Sequence, residues 1–78
     1  MDTVVFGASK LGVGTIGYLK DRYNILYCID NDENKWGTEI SGIKIMGPGV
    51  LVNYKGEIII ASVYYWEISQ QLHSLGVP

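Results

Sequence analysis

The sequence is short of the residues that staple, break or strongly charge a chain. It has a single cysteine, Cys28, so no internal disulfide is available and a secreted, disulfide-stapled scaffold is excluded. Its six lysines and arginines are scattered, and the net charge is −2. With no basic run to neutralise phosphates, nucleic acid is not an expected partner. The residues after Met1 lack the charged start and long apolar run of a signal peptide. No stretch approaches the roughly 20 apolar residues of a membrane span. A soluble, cytoplasmic protein is therefore expected, and neither a repeat nor a low-complexity segment is visible.

What is present is apolar bulk. Hydrophobic residues make up 47% of the 78 positions and aromatics 12%, too much for a disordered segment. A chain of this length buries only about 60% of its unfolded surface and is marginal alone. One domain over 1–78 is expected, completed by a homodimer partner or by the remainder of a larger protein.

Thr3–Phe6 is apolar on both faces, as in a strand buried in a parallel sheet, and stops at Gly7. After the glycine turn, Val13, Ile16, Leu19 and Tyr23 recur at helical spacing, which predicts a helix over 13–23 closed by Asn24. Gly14 and Gly17 inside it each cost about 1 kcal/mol relative to alanine, and close approach to the sheet is the expected compensation. Ile25–Ile29 is a second buried strand, followed by a polar turn over 31–35. Ile43–Ile45 reads as a third strand, short and at an edge guarded by Lys44. Gly47-Pro48-Gly49 breaks the chain, and Val50–Tyr54 is a short helix or a loop. Glu57–Ala61 is the fourth strand. Ser62 is placed as the cap of a last helix over 64–74, whose stripe is Ile68, Leu72 and Leu75 and which Gly76 ends. Strands alternating with helices predict a three-layer α/β domain of Rossmann type, with a four-stranded parallel sheet in the order 3-2-1-4.

Gly7-Ala8-Ser9-Lys10-Leu11-Gly12 follows the first strand and opens a helix, the context of the dinucleotide fingerprint G-x-G-x-x-G. Ser9 replaces the middle glycine, where its hydroxyl can donate to a phosphate oxygen. Free amides and the helix dipole favour an anion there. Asp30 ends the second strand, where an acid bonds ribose hydroxyls and disfavours a 2′-phosphate, so NAD is expected over NADP. Ser62–Trp66 reaches the same edge of the sheet. Tyr64, Tyr65 or Trp66 either stack on a base or pack in an interface, and Trp36 is a candidate anchor for the turn after Asp30. The cofactor-binding residues are thus Gly7, Ser9, Lys10, Leu11, Gly12, Asp30 and Ser62.

No catalytic residue is assigned. No tyrosine has a lysine four residues on, so the short-chain dehydrogenase pair is absent. His73 lies near the end of the last helix, away from the expected crevice, and suits the helix C-terminus. One cysteine and one histidine do not close a zinc tetrahedron. Cys28, inside a strand, is expected to be inert. The chain reads as the binding module of an enzyme more than as an enzyme, with a non-catalytic interaction domain as the alternative.

The series Val5–Gly12, Ile29–Asp32 with Lys35-Trp36-Gly37, Gly42–Ile45 and Ile58–Ser62 resembles the Rossmann-like modules of bacterial polysaccharide and nucleotide-sugar enzymes. These include the amino-terminal domain of sugar acetyltransferases, the leading domain of capsule-type sugar epimerases and dehydratases, and related modules of sugar C-methyltransferases. Gly7-Ala8-Ser9 is also similar to the start of CoA-binding domains. The resemblance implies a nucleotide ligand: NAD, with a nucleotide sugar such as a UDP-sugar, or CoA, as the alternatives.

Overall fold

The computed structural model describes residues 2–78. Strand β1 (Asp2–Phe6) is followed by helix α1 (Lys10–Leu19) and strand β2 (Asn24–Ile29). A 3-10 turn at Glu33–Lys35 leads to β3 (Glu39–Ile40) and β4 (Ile43–Met46). A second 3-10 turn at Pro48–Leu51 precedes β5 (Glu57–Ile60) and helix α2 (Tyr65–Ser74).

The sheet has five strands in the order β3-β4-β2-β1-β5, which corrects the expected four-stranded, all-parallel sheet in the order 3-2-1-4. The addition is β3, which pairs antiparallel with β4, while β4, β2, β1 and β5 are mutually parallel. A two-residue connection makes β3 possible. Ser41 and Gly42 both have positive φ, 51° and 82°, the backbone of the tight hairpin turn that matches strand twist. Consequently β4 is an inner strand, and the edge position expected for it belongs to β3.

Each sheet face carries one helix and one core cluster. Val4, Phe6 and Ile29 pack with Ile68, Leu72 and Val77 on the α2 side. Val5, Cys28 and Ile45 pack with Ala8 and Ile16 on the α1 side. Alternation along β1 sends successive side chains to opposite cores, so all four residues from Thr3 to Phe6 are buried.

Helix α1 starts and ends earlier than the 13–23 expectation. Its N-cap is Ser9 and its buried residues are Gly12 and Ile16. Asn24 does not close the helix. It opens β2, donating Nδ2–H to Asp2 Oδ1 at 2.9 Å. The C-terminus of α2 is a Schellman motif. Gly76, at φ +80°, donates to His73 O at 3.1 Å, Val77 donates to Leu72 O at 3.0 Å, and the Val77 and Leu72 side chains share a core. No helix among the described residues is long and apolar enough to cross a membrane.

Candidate functional site

The first crossover runs from β1 through α1 to β2 on one side, and β5 lies on the other side of β1. This is the topological switch point, where open α/β sheets hold ligands at the carboxyl ends of their strands. A cavity of about 460 Å³ opens there.

The glycine turn forms its floor. Gly7 has φ +131°, and a Cβ on it would collide with the carbonyl of Ala61. Gly12 is buried, and a Cβ there would collide with the Gly7 carbonyl. Two close backbone approaches therefore set the turn, one toward the end of β5 and one within the turn. Cys28, fully buried, donates its S–H to Gly7 O at 3.3 Å. Burial, reinforced by the nearby Asp30 charge, pushes the Cys28 thiol up to about 11. It stays protonated at neutral pH, which keeps that hydrogen bond and denies it nucleophilic character.

Asp30 is the hub of the site. Its Oδ2 accepts from the Ala8 amide at 2.9 Å and its Oδ1 from the Asp32 amide at 2.8 Å. Its main-chain carbonyl accepts from Trp36 Nε1 at 2.7 Å. Lys35 Nζ lies 3.9 Å from Oδ2 with its side chain 39% exposed, a pairing worth little in water. Asp30 thus ties the end of β2 to the glycine turn. Trp36 anchors the following loop, with its ring packed where a Cβ on Gly47 would fall 2.7 Å from Cζ2. One lone pair on each carboxylate oxygen remains for a ligand.

Gly7, Ser9, Leu11, Asp30 and Ser62 line the cavity. Lys10 and Gly12, expected beside them, do not. Lys10 borders a shallow hollow on the outer side of α1 with Gly14 and Tyr18, and Gly12 is spent on packing. Ser9 caps α1 by position only, with no side-chain hydrogen bond and no acid in the first turn. The first-turn amides therefore have no side-chain partner, a setting that favours an anion. Ser62 is not the helix cap. Tyr64 holds that position, and Ser62 Oγ accepts from the Tyr64 amide at 3.1 Å.

The far wall comes from α2 and includes Tyr64, one of the aromatic residues expected at this edge, with Glu67 and Gln71, which the sequence does not mark. Tyr64, Glu67, Ile68 and Gln71 all line the cavity, a spacing of three and four residues that marks one helix face. Asn31 faces them across the cleft. Asn31 Nδ2 donates to Gln71 Oε1 at 3.0 Å and Gln71 Nε2 to Asn31 Oδ1 at 2.7 Å. This amide pair bridges the loop after β2 to α2. Tyr65 and Trp66, 62% and 61% exposed, are not in the lining. His73 lies in the last turn of α2, also outside it. The cavity is lined by two carboxylates, Asp30 and Glu67, and by no lysine or arginine. An anionic group entering it meets no cationic side chain, only neutral donors such as the Ser9 and Ser62 hydroxyls beside the amides at the start of α1.

The family described as C2185-like, N-terminal, matches residues 1–78, and the chain belongs to it. No curated protein matches the chain. Among solved structures, UDP-D-quinovosamine 4-dehydrogenase from Vibrio fischeri is similar, with a TM-score of 0.74 at 23% identity, over 97% of this chain and 72% of that one. RSP, a Rex-family repressor, is similar with a TM-score of 0.69 at 19% identity, over 97% of this chain and 41% of the repressor. The same repressor in complex with β-NADH gives 0.63 at 17% identity, over 97% and 42%. These likenesses establish a Rossmann-like fold, and the chain spans about two fifths of the repressor's length.

Proposed function

We propose that this C2185-like, N-terminal domain binds an NAD-type dinucleotide and serves as the binding module of a nucleotide-sugar or polysaccharide biosynthesis protein. The observation that carries the reading is the cavity at the switch point, where an uncapped helix N-terminus above Gly7 stands beside the Asp30 carboxylate. In this reading the pyrophosphate sits on the amides of Ser9, Lys10 and Leu11, and the adenosine ribose uses the free lone pairs of Asp30. The similarity to an NADH-binding repressor and to a UDP-sugar dehydrogenase supports a nucleotide ligand. The charge of the lining selects among nucleotides. With Asp30 and Glu67 present and no lysine or arginine, an additional phosphate is unfavourable, which disfavours NADP and CoA relative to NAD or a nucleotide sugar.

The alternative, a non-catalytic interaction domain, draws on one feature. Val63, Tyr64, Tyr65 and Trp66 are each more than 60% exposed in an unbroken run, and apolar patches of this kind mark binding surfaces.

A thermal-shift panel of NAD, NADP, CoA, UDP-sugars and S-adenosylmethionine tests the proposal. A ligand at 100 times its dissociation constant stabilises the fold by about 2.7 kcal/mol, worth roughly 4–8 °C per kcal/mol in a domain of this size. NAD is expected to shift the melting temperature and NADP much less. Asp30→Ala should narrow that difference. No shift with any nucleotide would refute the proposal and favour the interaction domain.

A further inference from the structure

Three kinds of chemistry meet in the cavity, and the chain itself orders them. The glycine turn and the start of α1 offer backbone amides, and the Ala8 amide touches Asp30 Oδ2 at 2.9 Å. Asp30 offers carboxylate oxygens. Asn31, the next residue, offers a side-chain amide that is joined to Gln71 of α2. The pyrophosphate and the ribose of the proposed ligand take up the first two. The amide pair has no role in that reading.

Stability does not account for the pair. Asn31 is exposed and Gln71 half-buried, and water offers an exposed amide hydrogen bonds of similar worth. Yet two side chains 40 residues apart are ordered against each other. Their bonds, 3.0 and 2.7 Å long, run in opposite directions and close a ring. Each amide spends one N–H and one carbonyl lone pair on its partner and keeps one of each. Good hydrogen-bond geometry at both carbonyls favours a common plane. Along either side of that ring, the spare lone pair of one amide lies next to the spare N–H of the other. Such an edge complements a heterocycle that carries an N–H beside an acceptor, the two-point match by which Asn and Gln amides recognise adenine. Ile68, buried and one helical turn before Gln71, lines the same cavity. Apolar surface for the face of a ring thus lies beside a polar edge for its rim.

We propose that Asn31 and Gln71 act as one element that reads the edge of a nucleobase. The proposal rests on the nucleotide reading of the cavity and adds the part of the ligand that phosphate and ribose contacts leave unread. Adenine presents its amino N–H beside a ring nitrogen, and uracil its imide N–H beside a carbonyl oxygen, so both carry the required edge. A base whose N–H groups at that edge are methylated does not. Backbone amide, carboxylate and amide pair follow one another along the cavity as phosphate, ribose and base do along a nucleotide.

Calorimetric titration of the 78-residue chain tests the element. The probes are ADP, UDP, ADP dimethylated on its amino group and UDP methylated on its imide nitrogen. The tighter binder of ADP and UDP identifies the base. Its methylated analogue should bind about tenfold more weakly, as expected for loss of a two-point base contact. Asn31→Ala and Gln71→Ala should each weaken the parent nucleotide by a similar factor and leave its methylated analogue nearly unchanged. The double variant should bind the parent no more weakly than either single variant, because losing one amide dismantles the edge. Gln70→Ala, on the same helix but outside the cavity lining, should bind as the unmutated chain does. Equal binding of parent and methylated nucleotides overturns the proposal and leaves the nucleotide reading standing. So does a loss in the double variant equal to the product of the two single losses. Absence of binding by ADP, UDP and NAD alike overturns the nucleotide reading and this proposal with it. The comparison of analogues uses the unmutated chain, so it decides even where a variant fails to fold.

Discussion

Two pairs of glycines lie within eleven residues and look alike in the sequence, yet they do different work. Gly7 and Gly12 bracket the glycine turn, and a Cβ on either would collide with backbone. Gly14 and Gly17 lie on the exposed side of α1, where a Cβ would meet nothing within 4 Å. The expectation that Gly14 and Gly17 bring the helix close to the sheet is therefore corrected. Close approach is concentrated at the turn, and the helical glycines only weaken α1. Glycine at this close-packed strand-to-helix turn is a steric requirement, whereas glycine on an exposed helix face is a thermodynamic cost with no contact to explain it.

Substitution should separate the two pairs in sign as well as size. Gly12→Ala should be the most damaging, at about 3 kcal/mol or more in urea unfolding, because the obstructing Gly7 carbonyl is backbone and cannot swing aside. A loss below 1 kcal/mol would mean that the turn relaxes freely. Asp30→Ala should follow, at roughly 1–3 kcal/mol, because it strands the buried Ala8 amide. Hydrogen exchange at Ala8 should accelerate in that variant. Gly14→Ala and Gly17→Ala should each stabilise the domain by about 1 kcal/mol, raising the melting temperature by roughly 4–8 °C apiece. Destabilisation by both would erase the contrast between the pairs.

The smallest effect is expected from Cys28, which holds the Gly7 carbonyl from below. Its thiol is raised from 9.0 to about 11 in the folded state, so the folded chain retains a proton that the unfolded chain releases. This contribution to stability is complete below about pH 9 and disappears as pH rises through about 11. In Cys28→Ala, stability should lose this component of its alkaline pH dependence. An identical alkaline profile would show that the thiol does not titrate with unfolding.

The unequal legibility of the site has physical causes. Gly7, Ser9, Leu11 and Asp30 were readable because strand, glycine turn and following acid are consecutive in the chain and carry a local signature. The α2 wall was not, because Glu67 and Gln71 acquire their role from a helix that begins after β5, and only the sheet order brings it opposite Asn31. Lys10, expected beside the phosphate, lines the outer hollow and not the cavity. The helix starts at Lys10, so only its backbone stays with the turn. Strand β3 did have a signal, the Ser41-Gly42 dipeptide between Ile40 and Ile43, which is a hairpin turn pair. Two residues of strand show no periodicity to go with it.

Local chemistry in the sequence was enough for the α/β alternation, the buried β1, the glycine turn and its acid, and the Gly76 end of the last helix, whereas β2 is buried only at Ile25, Cys28 and Ile29, with Leu26 and Tyr27 exposed. Each rests on neighbours along the chain: side-chain alternation, backbone conformations accessible to glycine, and a carboxylate at a strand end. Only the tertiary structure decided which glycines are indispensable, which side chains face the cavity, how the Asn31–Gln71 pair bridges it, and that β3 covers β4. Those properties depend on distances between segments far apart in sequence, and no local pattern encodes such distances.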